Sequence, residues 1–234
     1  MADVAFYYSI SSRYSYLAAS QIPELRHETG ASVDWVPLNS VRLLSDRGAG
    51  PFRGEPVSGQ CEWAYRTRDA ERWAELYGIP FVETRGRVEM DAETLALACT
   101  AAKRLGKVEV VSQQLFAALF DGSTSLIDVH ECVRRAEAGG LPGAAFQAEL
   151  EHPLTKKQLD QNMRAARQAG VFGVPAFLVD DELFWGNDRL ILVKRYLEQR
   201  AKRTLANFRK PVSIGVGPVR RLGKETPRCP PRTS

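Results

Sequence analysis

The apolar positions change period twice along the chain. Val4-Ala5-Phe6-Tyr7-Tyr8 is a short apolar and aromatic run of the kind that forms a buried strand. Ser9, Ser11 and Ser12 then offer hydroxyls suited to a helix N-terminus. Tyr16, Leu17, Ala19, Ile22 and Leu25 recur at helical spacing over roughly 13–29, and Gly30 is placed to end that helix. Ser32-Val33-Asp34-Trp35-Val36-Pro37-Leu38 alternates as a second strand, so the chain opens β-α-β, with parallel neighbours and a right-handed crossover. From about 40 to 155 strand signals vanish. Gly48 to Gly59 is a Gly- and Pro-rich loop, and helical spacing predicts helices over 61–77 and near 92–105, 108–120, 126–138 and 142–150. Thr155 is placed to cap a further helix that runs through Ala169 and closes at Gly170. The strand period then returns. Residues 175–179 and 182–185 form a predicted hairpin around Asp180-Asp181, and Gly186-Asn187-Asp188 leads into a last helix from about 189 to 200.

This order is that of an α/β, thioredoxin-like domain, split between residues 1–39 and 155–201 and interrupted by an all-helical insertion over 40–154. Residues 202–234 stand apart. Prolines, glycines and like charges replace periodicity there, and nine Lys or Arg face Glu225 alone, a segment expected to be disordered. The rest of the chain is mildly acidic, so the net charge of +4 is no argument that the folded body binds nucleic acid. With 44% hydrophobic and 26% charged residues the composition is that of a globular protein. No run approaches the ~18 apolar residues of a membrane span. Nothing at the start resembles a signal peptide, which makes the cytoplasm the expected compartment.

Cys61, Cys99, Cys132 and Cys229 form no CxxC pair, the three histidines are scattered, and neither HExxH nor a nucleophile elbow occurs. A metal centre and a Ser-His-Asp hydrolase are therefore not expected. In a thioredoxin-like order the reactive position lies where the first strand feeds the first helix, and this chain holds Ser12 and Ser15 there. Hydroxyls form no disulfide, so redox catalysis at that position is excluded. Pro175, opening a strand after the glycine-flanked turn Gly170–Gly173, suits either a cis Val174–Pro175 bond, whose Val174 backbone can pair with an extended peptide, or an ordinary trans proline. Asn187 and Asp188 suit either the capping of the last helix or a grip on an α-amino acid group. Tyr14, Tyr16, Trp63 and Trp73 fit a core or the lining of an aromatic pocket.

Four segments, in order and in register over about residues 3–200, carry a resemblance. Phe6-Tyr7-Tyr8 with Ser12 and Ser15-Tyr16-Leu17-Ala18, the stretch Arg72–Pro80, Gly170–Pro175, and Trp185-Gly186-Asn187-Asp188-Arg189 resemble the family of 2-hydroxychromene-2-carboxylate isomerases and kappa-class glutathione transferases. That resemblance implies a DsbA-like thioredoxin fold, glutathione as cofactor, a small-molecule substrate and a homodimer. It implies that Ser12 is the catalytic serine beside the glutathione sulfur. Val174 and Pro175 would meet the cysteinyl part, and Asn187 and Asp188 the γ-glutamyl end. It also implies reversible addition of a glutathione thiolate to a conjugated aromatic carboxylic acid, as in the catabolism of aromatic compounds. A kappa-like transferase, which would consume the tripeptide, is the alternative, and a non-catalytic thiol- or peptide-binding module is the second. A free thiol with a pKa of ~8.5 is mostly protonated at neutral pH, so a hydroxyl donor and a helix N-terminus would have to favour the anion. The chain departs from the family at Arg13, where proline is common, and at Ser9, where the family has aspartate. The family's glutathione-contacting asparagine and lysine have no clear counterpart; Arg53, Gln60 and Arg66 lie in that neighbourhood. Arg13, Tyr14 and Arg53 are candidate substrate contacts.

Overall fold

The computed structural model describes residues 3–45 and 62–208, with side chains through Arg203. Arg53, Gln60, the Gly48–Gly59 loop, and the tail beyond 208 lie outside the described residues.

Strand β1 (Val4–Tyr8) is the hub of a four-stranded mixed sheet ordered β2-β1-β5-β6. It pairs in parallel with β2 (Val33–Pro37), Phe6 opposite Trp35, after a crossover through helix α1 (Arg13–Thr29). On its other side it pairs antiparallel with β5 (Ala176–Val179), Phe6 opposite Phe177 and Tyr7 opposite Ala176. The hairpin closes through β6 (Glu182–Trp185), with Asp180 taking the left-handed conformation that the two-residue turn requires. A 3₁₀ turn (Asn187–Arg189) and helix α9 (Leu190–Phe208) follow. The interior of this sheet is aromatic. Phe6 stacks on Tyr8 and on Phe177 at 5.1 Å each and meets Trp35 edge-on at 5.0 Å, and all four side chains are almost wholly buried. Each such burial contributes roughly 1.5–3 kcal/mol.

Between the two parts of the sheet lie α2 (Ser40–Ser45), α3 (Trp63–Tyr77), α4 (Ala92–Arg104), α5 (Val108–Phe120), α6 (Val129–Ala138), α7 (Gly143–Glu151) and α8 (Pro153–Gln168). The alanines of α4 (Ala96, Ala98, Ala101, Ala102) are buried and let α5, α7 and α8 approach it closely. The sequence-based expectation of strand-free chain over 40–155 does not hold, because β3 (Glu89–Met90) and β4 (Leu126–Ile127) form a parallel two-residue ladder. Such short pieces carry no detectable alternation. Helix α2 was not foreseen either; it is six residues long, and Asn39 caps it through an Oδ1 that accepts the Arg42 N–H at 3.1 Å. Thr155 does not cap α8. The helix starts at Pro153, where a missing N–H costs nothing, and the His152 ring nitrogen accepts from Leu154. The Thr155 hydroxyl instead points back to Glu149 on α7. The last helix also runs beyond its expected end to Phe208, taking residues 202–208 out of the expected disordered tail.

Candidate active site

Antiparallel pairing makes one end of the sheet a meeting point. The C-terminal end of β1, the N-terminal end of β5 and the C-terminal end of β6 lie together. Continuing the Tyr7–Ala176 register by two residues brings Val174 opposite Ser9, at the start of the loop that delivers Ser12. Continuing the Ala176–Trp185 register brings Gly186 beside Pro175, where the Gly186 N–H donates to the Pro175 carbonyl at 3.0 Å. Asn187 follows at once, and α1 packs against its turn. Ser12, Val174, Pro175, Asn187 and Asp188 are thus gathered at one end of the sheet, although up to 176 residues separate them in sequence.

Ser12 is the N-cap of α1. It has extended backbone, and its Oγ accepts the Ser15 N–H at 3.2 Å. The cap uses a lone pair and leaves the hydroxyl proton free, since that proton makes no hydrogen bond to a described residue. Neighbouring hydroxyls hold the loop. The Ser9 N–H donates to Ser15 Oγ at 3.3 Å, Ser9 Oγ meets Ser11 Oγ at 3.0 Å, and Ser11 Oγ meets Ser40 Oγ at 3.1 Å. The first turn of α1 holds no acid, so no carboxylate within it offsets the partial positive charge of the helix N-terminus, and the mouth of this helix is electropositive.

Val174–Pro175 is cis, which decides between the two alternatives that spacing left open. Neither the N–H nor the C=O of Val174 bonds to a described residue, so both are available to an extended ligand. Asn187 and Asp188 do not cap by side chain; Gly186 occupies the cap position. The Asn187 side chain is buried at 4% exposure, and its Nδ2 donor closes no hydrogen bond, although the Tyr77 hydroxyl is near enough to sense it. Burial holds the Tyr77 phenol above its ordinary pKa. Asp188 is exposed and paired with Arg189. An unsatisfied buried amide donor beside an exposed carboxylate is chemically matched to a zwitterionic α-amino acid group.

Arg13 is not the open anion contact that its position suggested. Its guanidinium is ion-paired with Glu83 at 2.5 Å, accepted by Thr67 Oγ1 at 3.2 Å and stacked on Trp63 at 4.2 Å. Burial, partly offset by Glu83, holds its pKa below the ordinary value. Nothing local in the sequence signals a partner seventy residues away. The Tyr14 hydroxyl donates to Asp69 at 3.0 Å, and burial together with that carboxylate pushes the phenol up to about 12, so it acts only as a neutral donor. Tyr16 belongs to the core, stacked on Phe120 at 4.9 Å, with its hydroxyl on the Pro80 carbonyl at 2.6 Å. Cys99 and Cys132 are buried in helices α4 and α6. Burial pushes their thiols up to about 11 and about 12, far from a reactive range. Among the described residues no cluster of His, Cys, Asp and Glu could hold a metal ion, and no helix is long and apolar enough to cross a membrane.

A parallel β-α-β unit, an antiparallel hairpin preceded by a cis-proline, and a helix that begins at the end of the first strand define a thioredoxin fold. The chain belongs to the DSBA-like thioredoxin domain family, whose model matches residues 3–198. It is 29% identical over 195 residues to a 2-hydroxychromene-2-carboxylate isomerase of Sphingobium xenophagum, covering 83% of this chain and 97% of that protein. It is 28% identical to an enzyme of the same name from Pseudomonas sp. strain C18, over 82% of this chain and 88% of that one. Among solved structures, a 2-hydroxychromene-2-carboxylate isomerase superposes with a TM-score of 0.71 at 24% identity, covering 88% of this chain and 98% of that one. The cytosolic disulfide reductase DsbM of Pseudomonas aeruginosa superposes at 0.59 with 17% identity, covering 87% and 98%. Both share the fold.

Proposed function

We propose that this protein is a glutathione-dependent isomerase of a conjugated aromatic carboxylic acid of the 2-hydroxychromene-2-carboxylate kind. The names of its relatives support an isomerase. The single observation that carries the glutathione reading is the Ser12 hydroxyl, which caps α1 with a lone pair and keeps its proton for a ligand at an electropositive helix mouth. Bound glutathione would supply a thiol sulfur that adds reversibly to a conjugated carbon, so that a double bond can rotate and the tripeptide is returned unchanged.

The chain's part is to bind, orient and stabilise charge. Ser12 donates its O–H to the sulfur and favours the anionic form, and the unpaired N–H groups of the first turn of α1 add their partial positive charge. A hydroxyl cannot be oxidised to a disulfide, so the sulfur stays with the ligand. Val174 offers its backbone N–H and C=O to the cysteinyl unit in the manner of strand addition. Asn187 Nδ2 and Asp188 hold the α-amino acid end.

The test is turnover of 2-hydroxychromene-2-carboxylate with and without glutathione, with total glutathione followed through the reaction. The expected result is isomerisation that depends on the tripeptide while its total stays constant. One-for-one consumption would make the protein a transferase. Turnover at full rate without any thiol, or in Ser12→Ala, would overturn the mechanism.

A further inference from the structure

Three guanidinium groups converge on one indole. The Trp63 ring, at the first residue of α3, has Arg13 Cζ 4.2 Å, Arg85 Cζ 4.4 Å and Arg66 Cζ 5.8 Å from its centroid, and Arg66 Cζ also lies 6.0 Å from the Tyr14 ring. The carboxylates nearby are already engaged. Glu83 Oε1 accepts the backbone N–H groups of Thr84 and Arg85 at 2.9 and 3.1 Å, and its Oε2 accepts the Thr67 hydroxyl at 3.0 Å and Arg13 at 2.5 Å. A carboxylate offers about four acceptor sites, so Glu83 is saturated. Asp69 takes the Tyr14 hydroxyl at 3.0 Å. Among the described residues no acceptor pairs with the guanidinium group of Arg66 or of Arg85. A guanidinium stacked on a ring keeps its N–H fork in the plane, directed away from the ring and matched to a planar carboxylate. The platform is reachable, because Trp63 is 38% exposed and Arg85 is exposed. It is also close to the chemistry. Arg13 follows Ser12 directly and joins the helix mouth to this cluster.

We propose that Arg66 and Arg85, held by Trp63, form the subsite that binds the carboxylate of the conjugated substrate and thereby select acids over neutral enones. The proposal rests on the isomerase reading above for the identity of that substrate. Glutathione itself carries two carboxylates and is the other source of the same chemistry. The substrate fits better because the acid must lie near the sulfur at Ser12, beside Arg13, whereas the γ-glutamyl end already has the unsatisfied Asn187 donor to meet. Trp63 is a positioning residue here, fixing where the two forks point.

The experiment uses the full chain and its Arg66→Gln, Arg85→Gln and doubly substituted variants, at saturating glutathione. Loss of each guanidinium is expected to raise the KM for 2-hydroxychromene-2-carboxylate about tenfold, the size of one charge-assisted contact, with kcat and the glutathione Kd within about twofold. Trp63→Phe keeps a flat face and is expected to fall between wild type and Trp63→Ala. A raised glutathione Kd with unchanged KM would assign the arginines to the tripeptide and overturn the proposal, and so would no change in either constant. A second arm needs no turnover: titration calorimetry of cinnamate and cinnamamide into the glutathione-free protein. Wild type is expected to prefer the acid, and the double variant to bind the two alike. Equal binding of acid and amide by the wild type overturns the subsite. Acid preference without any isomerisation would instead sink the isomerase reading and leave the subsite standing.

Discussion

Ser12 shows how one side chain can cap a helix and still keep a donor for a ligand. Its hydroxyl oxygen accepts a helix N–H and its proton remains unused, so capping and the proposed thiol contact, alternatives in the sequence, are compatible in one geometry. The two roles separate by substitution. Ser12→Ala should lose the cap, about 1 kcal/mol of stability, and most of the turnover, whereas Ser12→Asn restores the cap without placing an O–H at the sulfur. Recovery of thermal stability but not of kcat in Ser12→Asn is the expected pattern, read by thermal unfolding and steady-state kinetics; recovery of both would mean that Ser12 only caps. A second helix cap is titratable. Asp91 caps α4 by accepting the Thr94 hydroxyl and N–H, each at 2.8 Å, and these bonds hold its carboxyl below the ordinary 3.8. A depressed folded pKa contributes stability that is present above the unfolded value and lost as the pH falls through the folded one. Asp91→Ala should therefore cost about 1 kcal/mol at pH 7, and the difference from wild type should shrink in denaturant titrations as the pH falls through the depressed value of the carboxyl.

At the scale of elements, local signals carried most of the fold. Val4–Tyr8, the 13–29 helix and the hairpin at 176–185 are written in periods of two and 3.6 over enough residues to be read, and Gly30 ends α1 in the left-handed conformation its position suggests. Elements set by tertiary partners were illegible: the two-residue β3–β4 ladder, the six-residue α2, and the choice of His152 over Thr155 as cap. The same division holds in the site. Ser12, Val174 and Asn187 lie in readable turns, but the pairing of Arg13 with Glu83 and the gathering of Arg66 and Arg85 on Trp63 depend on how α1, α3 and the 80s loop meet, which no local pattern encodes. The turn after β6 is the element most exposed to a single change. Gly186 has φ +114°, and an added Cβ would sit 2.5 Å from Asp188 Oδ1. Gly186→Ala should cost about 1–3 kcal/mol and displace Asn187 and Asp188, weakening glutathione binding while leaving the acid preference at Arg66 and Arg85 intact. Calorimetry with glutathione and with cinnamate checks both halves; unchanged glutathione affinity would detach the 187–188 turn from the ligand.

On the scale of the molecule, the core is shared between the sheet and the helices inserted into it. One continuous cluster of buried side chains joins Phe6 and Tyr8 of β1, Ile22 of α1, Cys99 of α4, Phe116 of α5, Cys132 of α6, Phe146 of α7, Phe177 of β5 and Val193 of α9. A polar thread crosses it. The Tyr8 hydroxyl meets Ser112 Oγ at 2.6 Å, and Ser112 lies 3.4 Å from the Cys99 sulfur, tying the central strand to α5 and α4. A sheet domain and a helical insertion that share a core cannot release one part without exposing apolar surface of the other, so they should unfold as one unit. Cys99 and Cys132 report this directly. Both are buried with thiols pushed up to about 11 and about 12, so they should resist alkylation in the native protein. Because the folded state keeps these protons to higher pH than the unfolded state does, stability should decline as the pH rises past about 9, where an exposed thiol ionises. In a urea series at pH 8, labelling of Cys99 and Cys132, read by peptide mass, should rise together and share the midpoint of the far-ultraviolet circular dichroism. Labelling of Cys132 at lower urea, with the β1–β5 pairing still intact by hydrogen exchange, would show that the helical segment opens alone and that the shared core does not couple it to the sheet carrying Val174 and Pro175.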